Sequence, residues 1–96
     1  MNHIYEKGSL IKCTVSQQEH FGVFVELEDE EYSGLILVLQ YHDRPSEELR
    51  ELAPKVGQEL VAVILNHSPE AKRLALSLKP SDFEHFGHEP VDWRQG

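Results

Sequence analysis

Hydrophobic and polar residues alternate with a period of two over much of this chain, which is the periodicity of half-buried strands. Leu10, Ile11, Cys13 and Val15, interleaved with Lys12 and Thr14, predict a first strand after Gly8. Ser16 to His20 is polar and reads as a turn. Phe21 to Leu27, FGVFVEL, is aromatic and β-branched and predicts a second strand; Gly22 within it points to a bulge or a close backbone approach. An acidic loop from Glu28 to Ser33 ends at Gly34, and the apolar run Leu35 to Leu39 predicts a third strand. Glu59 to Leu65 and Arg73 to Leu78 predict a fourth and a fifth, with Asn66 to Lys72 as the turn between them and Pro80 ending the last ladder.

Between Tyr41 and Pro54 the period changes. Ser46 is a good N-cap, Glu47 and Glu48 suit a first helical turn, and Leu49 and Leu52 are spaced three apart. One short helix is expected here, stopped near Pro54 and Gly57. Five short strands with a helix between the third and fourth is the pattern of an all-β, five-stranded OB-fold barrel. Ninety-six residues suffice for one such domain. The expected division is a barrel over 1–80 and a C-terminal tail over 81–96, docked or flexible, whose Phe83, Phe86 and Trp93 would either extend the core, contact a partner or stay unpacked. Docking on Leu37 and Leu39 would account for those two leucines.

Nine Lys and Arg against 17 Asp and Glu give a net charge of −8, which argues against tight non-specific binding of nucleic acid and leaves room for a local basic strip. The single cysteine, Cys13, excludes an internal disulfide and fits a reducing, cytoplasmic setting. No signal peptide pattern opens the chain, and no apolar run reaches the roughly 20 residues of a membrane helix. Six His are scattered without a Cys pair or a His-Glu-x-x-His motif, so no metal site or cofactor is expected. No Gly-rich phosphate loop and no nucleophile–base–acid constellation is present, and a binding module is expected rather than an enzyme.

The motifs, taken together, resemble the S1 family of RNA-binding modules. The Gly-led first strand is Gly8 to Val15, the aromatic-Gly-x-Phe-Val element is Phe21 to Val25, and Gly34-Leu35-Ile36 with Val38 matches the third strand. Asp43-Arg44 precedes the helix, Val56-Gly57-Gln58 with Val61 opens the fourth strand, and Arg73 to Lys79 closes the pattern. The resemblance spans roughly Gly8 to Lys79 and implies an OB barrel that binds single-stranded RNA with modest affinity, in a translation or RNA-metabolism setting. It implies that Phe21 and Phe24 stack on bases and that Arg73 meets a phosphate or a base. His20 beside Phe21, Lys12 and the third-strand position Leu37 complete the expected RNA-binding set. The ribosome or another protein is a further expected partner.

Two features keep a second class open. Leu37 stands where the family has His, and Leu39 where a small polar residue is usual, so the face would carry an apolar patch of the kind that marks protein partners. The alternative is a protein–protein interaction module on an S1-type barrel that has lost RNA affinity. Strand alternation alone sets Phe21 and Phe24 on opposite faces, so the residues by themselves leave open whether both rings are exposed or one is core.

Overall fold

The computed structural model describes residues 5–43 and 53–93. Five strands, β1 (Leu10–Glu19), β2 (Gly22–Glu26), β3 (Ser33–Leu37), β4 (Glu59–Ser68) and β5 (Arg73–Ser77), close into a barrel in the order β1-β2-β3-β5-β4. All pairings are antiparallel except β3 with β5, which is parallel and three residue pairs long, Ser33 to Leu35 against Arg73 to Ala75. The five predicted strands are all present, with shifted ends. β1 runs through the polar stretch expected to turn: Gln17, Gln18 and Glu19 pair with Phe24, Val23 and Gly22 of β2, and the Gln18 amide donates to the Pro54 carbonyl at 2.7 Å. Only His20 and Phe21 are left to connect Glu19 with Gly22. β4 likewise continues to Ser68, two residues beyond the expected start of its turn. β3 begins two residues earlier than its apolar run and gives way to a 3-10 turn over Val38–Gln40.

The inward positions follow from alternation. Val23 and Val25 of β2, Ile36 of β3, Ala62 and Ile64 of β4 and Leu74 and Leu76 of β5 are buried. A register shift between Val15 and Gln17 inserts Ser16 as an extra residue, which bends β1 so that its first half pairs with β4 and its second half with β2. At Gly22 the expected close approach is real: a Cβ there would stand 2.3 Å from the Ile36 carbonyl oxygen.

The helix expected from Ser46 to Pro54 falls mostly on residues 44–52, outside the described residues. The α-helix that is described, α1 (Pro80–His85), follows β5 instead of lying between β3 and β4. The β5 ladder stops at Ser77, before Pro80 is reached; Pro80 instead occupies the first turn of α1, where its missing N–H costs nothing. The buried Ser77 hydroxyl donates to Asp82 Oδ2 at 2.5 Å and accepts from the Lys79 amide at 3.1 Å, and Asp43 Oδ2 accepts the Ser81 amide at 3.0 Å. These bonds fix the start of the helix. Phe83 is fully buried, and Phe86 lies over Gly8, where an added Cβ would meet its ring at 2.4 Å. Trp93 packs edge-on against Tyr41, with ring centroids 5.8 Å apart, and its indole N–H donates to the Tyr41 carbonyl at 2.9 Å. It does not dock on Leu37 and Leu39, which remain 43% and 67% exposed.

Candidate nucleic-acid interface

The outer face of β2, β3 and β5 carries the aromatic residues that the sequence singles out. Phe24 sits mid-strand with Gln17 beside it on β1 and Leu35 on β3, and Leu35 in turn neighbours Ala75 of β5. Phe21 lies in the two-residue turn before β2, where strand alternation no longer applies. This resolves the parity problem: the turn carries Phe21 to the same side as Phe24. The ring centroids are 5.9 Å apart and nearly perpendicular, at 88°. Phe21 is 38% exposed and Phe24 is half-buried. His20 continues the run, with its ring 5.4 Å from that of Phe21 in an edge-on arrangement.

Arg73 closes the other end. Its Cζ stands 5.9 Å from the Phe24 ring centroid, at the outer limit of a cation–π contact. Among the described residues Arg73 enters no ion pair; the two salt bridges are Lys72 to Glu31 at 3.8 Å and Lys79 to Asp82 at 3.7 Å. No described carboxylate therefore competes with an incoming anion for its guanidinium. Beside it a shallow groove of about 250 Å³ is lined by Leu35, Asn66, Ser68, Arg73 and Ala75. The Asn66 side-chain oxygen accepts the His67 amide at 2.9 Å, which leaves the carboxamide N–H₂ as the group available to a ligand. The composite is an apolar floor with donors at one edge, a shape suited to a flat heterocycle next to a phosphate.

Of the six residues expected to bind RNA, His20, Phe21, Phe24 and Arg73 form one continuous run. Leu37 pairs with Gly22 across β2 and β3 and borders that run, exposed. Lys12 lies elsewhere, in a hollow with Glu28 and Glu59, away from the groove at Arg73. Sequence reasoning did not single out Asn66, Leu35 or Ala75. They come together only through the parallel β3–β5 pairing and the shift in register between Ile64 and Asn66, neither of which leaves a mark in the local pattern.

The sequence model of the family described as S1 RNA binding domain matches residues 4–79. The chain belongs to the S1 family. This S1 chain is 37% identical over 73 residues to the small ribosomal subunit protein bS1 of Streptococcus pneumoniae, a match covering 76% of the chain and 18% of that protein. It thus spans less than a fifth of the length of that curated relative. Its barrel superposes with a TM-score of 0.69 on the solution structure of GSP13 from Bacillus subtilis, at 28% identity, covering 80% of this chain and 58% of that one. The intact alpha subunit of aIF2 from Pyrococcus abyssi shares the fold, with a TM-score of 0.71 at 22% identity over 82% of this chain and 30% of that one. Among the described residues of the S1 chain no helix is long and apolar enough to cross a membrane.

Proposed function

We propose that this S1 barrel binds single-stranded RNA by stacking two bases on Phe21 and Phe24 while Arg73 engages the adjoining phosphate. The observation that carries the reading is the run His20–Phe21–Phe24–Arg73 on one outer face, ending in a guanidinium that enters no ion pair among the described residues. A π face stacks on any base for about 1–3 kcal/mol, so two rings supply about 2–6 kcal/mol. Stacking alone then gives a dissociation constant no tighter than about 40 μM. With one cation at the site the salt dependence is shallow, with a log–log slope near −0.7. RNA duplexes offer no unstacked bases to such a face and bind poorly. The module acts by binding and carries out no chemistry on the strand. Its relation to a ribosomal protein supports a cytoplasmic setting in translation or RNA metabolism, with the ribosome as a further partner.

Fluorescence anisotropy of a labelled single-stranded RNA oligomer at several salt concentrations tests this. The Phe21→Ala, Phe24→Ala double variant is expected to abolish binding, while an unlabelled duplex competes weakly. Equal binding by wild type and the double variant would reject the stacking role. The exposed Leu37 and Leu39 favour a second reading, a protein contact on the same side of the barrel. Wild-type protein that ignores RNA at low salt, yet loses a protein contact on Leu39→Ser, would replace the first reading with the second.

A further inference from the structure

A second binding surface lies where β1 and β2 separate. The β1–β2 ladder begins only at Thr14, whereas β4 pairs with β1 from Leu10 onward. Among the described residues, the Leu10–Cys13 stretch of β1 therefore has a strand partner on one side alone. In an antiparallel ladder, alternate residues turn their N–H and C=O groups to opposite sides, so half of the backbone groups in this stretch face away from β4. On that open side the chain leaves β2 at Glu26 and diverges through Leu27 and Glu28. Two hollows of about 620 and 330 Å³ occupy the gap, and because both are lined by Lys12, Leu27 and Glu28 they form one trough along the open edge.

The floor of this trough is apolar: Leu27, Leu60 and Trp93 line it and are all buried. Its rim is acidic. Thr14 has Glu26 on one side and Glu59 on the other, with Glu28 two residues beyond the end of β2. All three glutamates are exposed, and among the described residues none is in an ion pair. Among the described residues Lys12 is the one basic side chain lining either hollow. An open backbone edge, an apolar floor and a carboxylate rim together select against a phosphodiester and for a cationic polypeptide.

We propose that this trough docks an extended, Lys- or Arg-rich segment of a partner protein, which adds to β1 as a strand. Successive side chains of such a segment point alternately inward and outward. Apolar residues would reach Leu27, Leu60 and Trp93 while basic ones meet Glu26, Glu28 and Glu59. Four residues of edge accommodate about 13 Å of strand. The module then carries two faces of opposite character, an arginine-ended aromatic run on β2, β3 and β5 and an acidic trough at β1. The inference stands on the trough alone and does not depend on the RNA reading.

Trp93, the only tryptophan in the chain, lines the trough and supplies a reporter. The probe is a synthetic heptapeptide alternating Lys and Val, titrated into the full chain with Trp93 fluorescence and backbone amide shifts as readouts. The expected result is saturable binding, with shifts concentrated at residues 10–14, 27 and 28, and no binding of the matching Glu–Val peptide. Alternate N-methylation of the probe, which blocks strand pairing, is expected to weaken it by about tenfold or more. The surface pair Glu28→Lys, Glu59→Lys is expected to do the same while leaving the RNA affinity no weaker. Equal binding of the acidic peptide, of the methylated probe or by the charge-reversed variant overturns the proposal. So does a single-stranded RNA oligomer that shifts the same amides.

Discussion

Replacing Trp93 with Ala measures how far the C-terminal stretch is part of the barrel. The indole is 8% exposed, packs against Tyr41, donates to the Tyr41 carbonyl, and its own carbonyl accepts from Gln58 Nε2 at 2.6 Å. Emptying a buried Trp site costs about 3–5 kcal/mol when the surroundings cannot collapse. The side chain closes a trough that is open to solvent, so water enters the vacated space and the lower end of that range is expected. Near the end of the described chain the segment can also undock as a unit, and the loss cannot exceed what its docking contributes. Trp93→Phe retains most of the ring contact and forfeits the indole hydrogen bond, at about 1–2 kcal/mol. For a domain of this size, about 3 kcal/mol lowers the melting temperature by about 12 °C or more. Urea titrations and thermal melts followed by far-UV circular dichroism, which does not need the tryptophan, give both numbers. An Ala variant within about 0.5 kcal/mol of wild type, the range of an ordinary surface substitution, would refute the claim that this residue belongs to the core.

Gly34→Ala is expected to destabilise the barrel by about 1–3 kcal/mol, because the new methyl would stand 2.6 Å from Val25 Cγ2 and 2.8 Å from Leu76 Cδ1, both in buried side chains; thermal melts will show it. Burial pushes the Cys13 thiol up to about 12, so a disulfide-exchange reagent at pH 8 should leave it unmodified in the folded protein and react fully in urea. The Ser81 hydroxyl and amide, bonded to the Asp43 carboxylate, hold its pKa below the usual value. A carboxylate with a lowered folded-state pKa contributes stability that is complete above its unfolded value, about 3.9, and vanishes as the pH falls through the folded one. Melting temperatures of wild type and Asp43→Asn should therefore differ by a constant amount above about pH 5 and converge in acid; parallel curves down to about pH 2 would remove this role for the bond.

The five strands were legible because each buries one face of a closed barrel, and that burial writes a period of two into the chain. The ends were less legible. Gln17 to Glu19 have a turn's composition but sit in a strand, where Gln17 faces outward beside Phe24 and Gln18 donates to the Pro54 carbonyl, so neither buries a polar group without a partner. Leu39 extends an apolar run yet lies outside the ladder, 67% exposed, so hydrophobicity overstated β3. α1 escaped notice because six residues show no period, and its strongest signal, Pro80, reads equally well as the end of a strand. At the candidate interface, the chemistry of Phe21, Phe24 and Arg73 was visible in the residues. Their proximity was not, since it depends on a turn placed at His20–Phe21 and on a strand pairing between residues 33–35 and 73–75. Lys12 shows the converse: its type suited a basic strip, but β1 delivers it to an acidic neighbourhood.

The parallel pairing of β3 with β5 also bears on how the barrel comes together and comes apart. With β1–β4 it is one of two seams between strands far apart in sequence, and at three residue pairs against five it is the shorter. Both seams carry a loop-entropy cost, and the shorter reward of β3–β5 makes it the seam expected to form later in folding and to open first. Phe24 and Arg73 stand on opposite sides of it. A nucleotide strand held by both would lie across the seam like a clasp, so that ligand occupancy and the integrity of the cylinder would reinforce each other.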